Sequence, residues 1–125
     1  MRFLAALFLV LTATVSRAEL PSASDAAINQ TLAAGKPAVI DLGARSCIPC
    51  KKMAPILESL VTQYRGKAGI LFIDVHENKT AAKRFRVQLI PTQIFFDARG
   101  KEVKRHMGFM DKADIVKELS ALGVR

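Results

Sequence analysis

Apolar positions along the 125-residue chain follow a few distinct spacings, and each spacing predicts a different element. Short apolar runs from Pro37 to Gly43 and from Gly69 to Val75, each interrupted by one acid, predict buried strands. Between them, Met53, Ile56, Leu57, Leu60, Val61 and Tyr64 recur at three- and four-residue intervals. That pattern predicts an amphipathic helix from Ile48 to Arg65, kinked at Pro55 and stopped by Gly66. A first helix is expected over Ser24 to Ala34, capped by Ser22 or Ser24 and ended by Gly35, and another over Lys79 to Phe85. Thr92 to Phe96 and Lys101 to His106 flank a Gly-containing turn and predict a hairpin. Asp111, with Asp114 three residues later, opens a last helix whose apolar face is Ile115, Leu119 and Leu122 and whose stop is Gly123.

The element order is therefore α-β-α-β-α-β-β-α. Strands joined through a helix run parallel, and a hairpin runs antiparallel. The expected fold class is α/β: a mixed four-stranded central sheet flanked by helices on both faces. The sequence contains no internal repeat or low-complexity linker, so residues 19–125 are expected to form a single domain.

The remaining apolar run, Phe3 to Val15, belongs to neither pattern. Arg2 precedes it, and Ser16-Arg17-Ala18 follows with small residues where a signal peptidase cuts. Residues 1–18 are expected to be a cleavable signal peptide. The run is too short for a stable membrane anchor, which needs about 20 apolar residues. Export follows, to the periplasm if the source is a Gram-negative bacterium and otherwise to the envelope or medium. Hydrophobic residues make up 50% of the chain, enough for a packed core. The balance of 19 Lys and Arg against 11 Asp and Glu is basic, but the cations are scattered and not interleaved with aromatics. That argues for a solvated surface and against a nucleic-acid partner.

The chain has two cysteines, and both fall in Cys47-Ile48-Pro49-Cys50 at the start of the long helix. Two cysteines exclude a disulfide-stapled miniprotein and a four-cysteine zinc site. A cysteine at a helix N-terminus sees free backbone N–H groups and the positive end of the helix dipole, which favour its thiolate. The second cysteine lies about one turn deeper, in reach of the first, where it can resolve a mixed disulfide. Pro49 suits the first helical turn, where its missing N–H costs nothing. As a structural staple the pair would constrain the unfolded chain little. His76 and His106 lie too far apart in sequence to complete a zinc-finger pattern, so no metal is expected.

The stretch from Val39 to Leu57 resembles the active-site segment of the thioredoxin family. Asp41 stands where that family has its buried carboxylate, Lys51 follows the second cysteine, and Pro55 matches the proline that kinks the active-site helix. Ile90, Pro91 and Thr92 resemble the loop that holds the family's cis-proline beside the redox pair. Gly100 matches the hairpin glycine, and Gly108 the glycine lining the substrate groove. The resemblance covers about Pro37 to Gly123 and implies the thioredoxin fold. There are departures. Ser46 and Gly43 replace two family tryptophans, Ile48 replaces the glycine between the cysteines, and Ile70 sits where a lysine often partners the buried acid. Little chain precedes Ser24 for the family's N-terminal strand. Without that strand, Gly69–Val75 is expected to be a sheet edge, either covered by Glu19–Ala23 or open to self-association.

The resemblance implies a thiol–disulfide oxidoreductase acting on protein disulfides. Cys47 would attack, Cys50 would resolve and Asp41 would move protons to and from Cys50, with Ile90, Pro91, Thr92 and Gly108 forming the substrate groove. No cofactor is implied beyond the cysteine pair. The family's strong oxidants carry a histidine between the cysteines; its absence here favours reduction. An exported reductase would need recharging by a membrane thiol-electron transporter. The alternatives are a disulfide oxidase or isomerase and, from another class, a Cu(I) metallochaperone using Met107 and Met110, since thiolate with thioether suits Cu(I).

Overall fold

The computed structural model describes residues 19–125; the expected signal peptide lies outside them. Eight elements follow in the expected order: α1 (Asp25–Ala33), β1 (Ala38–Gly43), α2 (Ile48–Gln63), β2 (Gly69–Asp74), α3 (Lys79–Arg84), β3 (Thr92–Phe96), β4 (Glu102–Met107) and α4 (Lys112–Ala121). They build a four-stranded sheet of order β2-β1-β3-β4. β1 runs parallel to β2 and antiparallel to β3, and β4 returns antiparallel to β3.

Capping side chains start the helices. Ser24 accepts from the Ala27 N–H at 3.1 Å, Asn78 from Ala81 at 3.0 Å and Asp111 from Asp114 at 3.0 Å. Each satisfies a backbone donor that the first helical turn leaves free. α2 is capped by Cys47 itself, whose sulfur accepts from the Cys50 N–H at 3.3 Å. The second hairpin strand lies one residue further on than its pattern suggests. Phe95 pairs with Lys104 and Phe96 with Glu102, leaving Val103 unpaired in a bulge that alternation alone does not reveal. At the turn Gly100 has φ +77°, and a Cβ there would lie 2.5 Å from the Leu32 carbonyl oxygen, so only glycine fits.

β1 is buried along its whole length because both faces of the sheet are covered. Ala38, Ile40 and Leu42 point into one core with Ile28, Ile73, Ala81, Phe85, Ile94 and Phe96. Val39 points the other way, with Met53, Leu57, Leu60, Ile70, Phe72, Phe95, Ile115 and Leu119. Strand alternation sends Asp41 into this second core, beneath α2.

Among the described residues no strand precedes α1, and β2 is an edge. The segment Glu19–Ala23 covers it. The Ala23 N–H donates to the Phe72 carbonyl at 2.7 Å, and Ser22 Oγ accepts from the Asp74 N–H at 2.9 Å. Leu20 packs against the α2-side core.

Candidate active site

Strand register brings four chain segments to one end of the sheet. Gly43 is beside Asp74, Leu42 is beside Thr92, and Thr92 is beside Met107. The loop carrying Cys47, the loop after β2, the Ile90–Thr92 segment and Gly108 all leave from that end. Cys47 and Cys50 form a disulfide with 5.1 Å between their Cα atoms. Cys47 is half-buried, whereas Cys50 is 5% exposed and packs against the core. The Ile90–Pro91 peptide is cis, and the Pro91 carbonyl accepts from the Gly108 N–H at 2.7 Å, so the two groove candidates touch. Thr92 is buried, its hydroxyl bonded to the Leu89 carbonyl at 2.5 Å.

Asp41 has no solvent exposure. Burial pushes its carboxyl from 3.8 up to about 7, against the opposing pull of a hydrogen bond from Gln93. That bond runs from Gln93 Nε2 to Asp41 Oδ1 at 2.8 Å. Gly43 opens the space between acid and cysteine. A methyl group there would lie 3.1 Å from Cys50 Sγ and 3.6 Å from Asp41 Oδ2, so a larger side chain would separate them. On its outer side Cys50 borders a cavity of about 20 Å³ shared with Ala54, Leu57, Phe72, Leu20 and Arg45. That is room for one water molecule.

Two residues with roles at the site, Gln93 and Asp74, escape sequence reasoning. Gln93, fully buried, has no local signature and reads as one polar position in a strand. Asp74 receives N–H donors from Arg45, His76 and Glu77 and so pins the cysteine loop to the loop after β2. Burial opposes its ionisation, but the N–H donors of Arg45, His76 and Glu77 and the nearby His76 hold its carboxyl below the ordinary value. Arg45, close before Cys47, is positioned by sequence as a cation for its thiolate. Its guanidinium instead bonds Glu77 at 3.1 Å, Glu19 at 3.2 Å and the Leu20 carbonyl at 3.3 Å, and lies over the Phe72 ring. Its charge is matched by those carboxylates, leaving the helix end as the main support for a Cys47 anion.

Exposed apolar side chains collect at this end of the sheet: Ile48 at the start of α2, Met107 at the end of β4, and Leu89 and Phe109 on the loops. An open groove of about 290 Å³, lined by Val75, Ala82, Val87, Gln88, Leu89 and Ile90, runs beside the cis peptide. Among the described residues no three His, Cys, Asp or Glu side chains cluster to hold a metal. Met110 is buried in the α2-side core, and His106 Nε2 lies 3.0 Å from the Phe109 carbonyl oxygen. A copper site using both methionines therefore has no support in the geometry.

A fold with a cysteine pair capping a central helix over a buried acid defines a class of dithiol proteins, and comparison with known proteins agrees. The thioredoxin family model matches residues 19–121. A thioredoxin from Staphylococcus aureus is 42% identical over 81 residues, covering 65% of this chain and 77% of that protein. A bifunctional thioredoxin reductase/thioredoxin from Mycobacterium leprae is 38% identical over 89 residues, covering 71% of this chain; the chain spans only 19% of that protein's length. Among solved structures, chloroplastic thioredoxin z superimposes with a TM-score of 0.72 at 25% identity, covering 85% of this chain and 96% of the other. A mutant thioredoxin from Halobacterium salinarum NRC-1 gives the same TM-score and identity, covering 82% of this chain and 88% of its own. The chain belongs to the thioredoxin family, a family of thiol–disulfide oxidoreductases.

Proposed function

We propose that the protein is an exported disulfide reductase acting on protein disulfides through the Cys47/Cys50 couple. The observation that carries this reading is the asymmetry of the pair. Cys47 caps α2 at the surface, and Cys50 is buried beside a proton-holding acid. The Cys47 thiolate attacks a substrate disulfide, forming a mixed disulfide and releasing one substrate thiolate. Cys50 then gives its proton to Asp41 and attacks Cys47 Sγ. The second substrate thiolate leaves, the substrate is reduced by two electrons, and the Cys47–Cys50 disulfide remains. Pro91 and Gly108, hydrogen-bonded to each other at the cysteine end of the sheet, would shape the substrate groove, and the exposed apolar rim suits an unfolded or extended substrate segment.

The leader-like residues 1–18 support export, to the periplasm in a Gram-negative source. A membrane thiol-electron transporter would then return electrons to the pair, since cytosolic reductants do not reach it. Direction depends on potential. A value near the roughly −270 mV of reducing thioredoxins supports a reductase, and one near about −120 mV supports an oxidase. Equilibration against a glutathione or dithiothreitol redox buffer measures it. Expressing the full chain with Cys50→Ala and identifying proteins disulfide-linked to Cys47 would name the substrates. Absence of any trapped protein, together with an oxidising potential, overturns the reductase reading.

A further inference from the structure

Two buried side-chain atoms in the described molecule receive no hydrogen bond, and they belong to adjacent partners: Asp41 Oδ2 and Gln93 Oε1. Both side chains are fully buried, on neighbouring strands in direct register, Asp41 opposite Gln93. The other half of each group is already joined, Gln93 Nε2 donating to Asp41 Oδ1 at 2.8 Å. Two acceptors cannot satisfy each other, and leaving both unpaired in the core is costly. A single proton on Asp41 changes this. The acid then has an O–H to offer, and the orphaned amide oxygen is on the very group that holds its other oxygen.

We propose that Gln93 is a positioning residue whose Oε1 accepts a hydrogen bond from protonated Asp41, the two closing a carboxylic acid–carboxamide ring in the oxidised protein and reopening it when Asp41 becomes a base for Cys50. The proposal rests on the reading of Asp41 as the proton acceptor of the resolving step. The amide serves both states. Its N–H steadies the carboxylate, and its oxygen accepts from the acid. The proton balance matches the reaction. Resolution moves one proton from Cys50 to Asp41 and leaves the disulfide form, the state described here, with that proton held between Asp41 and Gln93.

The other titratable side chain in register with the pair is His106, opposite Gln93 on β4, and its Nε2 is turned to the Phe109 carbonyl oxygen at 3.0 Å. β2 sets Phe72 beside Asp41, and α2 contributes Cys50 and Met53. The other titratable groups of these elements face elsewhere. Asp74 is turned to backbone donors at the end of β2, Lys51 and Lys52 are exposed, and Glu58 is partly exposed. β3 carries none. The carboxyl value of about 7 fits a proton that is held and released near neutrality.

Side-chain NMR of the oxidised protein tests the ring directly. Asp41 Cγ should titrate near neutrality, and the Gln93 Cδ and Nε2 resonances should move with the same midpoint as Oε1 gains and loses its donor. If Gln93 Cδ stays flat while Asp41 titrates, the proposal is overturned. Kinetics give a second reading through Gln93→Met, which keeps bulk and removes the amide. The reduced protein is loaded at Cys47 with an aromatic disulfide reagent, and release of the aromatic thiolate follows Cys50 attack. The Gln93 hydrogen bond pulls the Asp41 carboxyl down, so the variant's Asp41 midpoint should rise. If it rises by about one pH unit, release at pH 7 slows about fivefold, and the deficit disappears by about pH 9. Equal slowing at every pH marks a purely structural role and overturns the proposal. If Asp41→Asn also leaves release unchanged, the acid itself is not the base, and the failure lies with the function reading instead.

Discussion

Asp41 is costly to keep in the folded protein once it is charged, and the cost has a definite pH window. Its carboxyl is raised from 3.8 to about 7 by burial. Well below pH 4 both folded and unfolded chains are protonated there, and the group carries no penalty. Between pH 4 and 7 the unfolded chain ionises first, so native stability falls as pH rises; above 7 the loss is constant. A rise of that size corresponds to roughly 4 kcal/mol. Asp41→Asn, which keeps the shape and an acceptor for Gln93 Nε2, should therefore match the parent near pH 4 and exceed its stability by about 2–4 kcal/mol at pH 8. Denaturant unfolding of the oxidised proteins at the two pH values measures this. A variant no more stable at pH 8 would show that Asp41 is solvated. The same substitution should slow disulfide exchange by about 10²-fold, a typical contribution of a positioned base. Asp41 itself was legible from its place among apolar neighbours. Its partner was not, because Gln93 meets it only through the antiparallel register of β1 and β3.

In the proposed mechanism the helix is the unit that makes Cys47 reactive. Cys47 stands at the cap position of α2, where the first-turn N–H groups are free and one already points at its sulfur. A helix end of this kind favours the thiolate of a cysteine placed there. In the reduced protein Cys47 should be alkylated at least tenfold faster than Cys50, which is shielded by burial and by its neighbouring acid. Mass spectrometry after brief iodoacetamide treatment across pH 5–9 reads both rates, and equal rates would contradict the asymmetry. All eight elements are legible in the chain because helix and strand periods are local. Details that need a neighbouring strand are not, as the bulge at Val103 shows.

Across the whole molecule, the stretch Glu19–Ala23 does the work of a covering strand with few bonds. Ser22 and Ala23 occupy β2 edge groups, Leu20 caps the core, and Arg45 ties Glu19 and Leu20 to the cysteine loop. Beginning the chain at Ala23 should cost about 1–3 kcal/mol, from the lost hydrogen bonds and Leu20 burial. It should also bare part of a β edge, giving concentration-dependent self-association. Sedimentation velocity on the shortened protein tests this; a monomer of parental stability would show that the segment is idle. By itself the sequence determined the order of helices and strands, the capping of α2 by a cysteine pair, and the burial of Asp41, because each depends on residues close together in the chain. Tertiary structure alone decided which amide faces that acid, where the charge of Arg45 goes, and that Gly43 leaves the gap between Asp41 and Cys50. Those contacts join residues far apart in sequence, and only the packing of β1 between β2 and β3 beneath α2 brings them within reach.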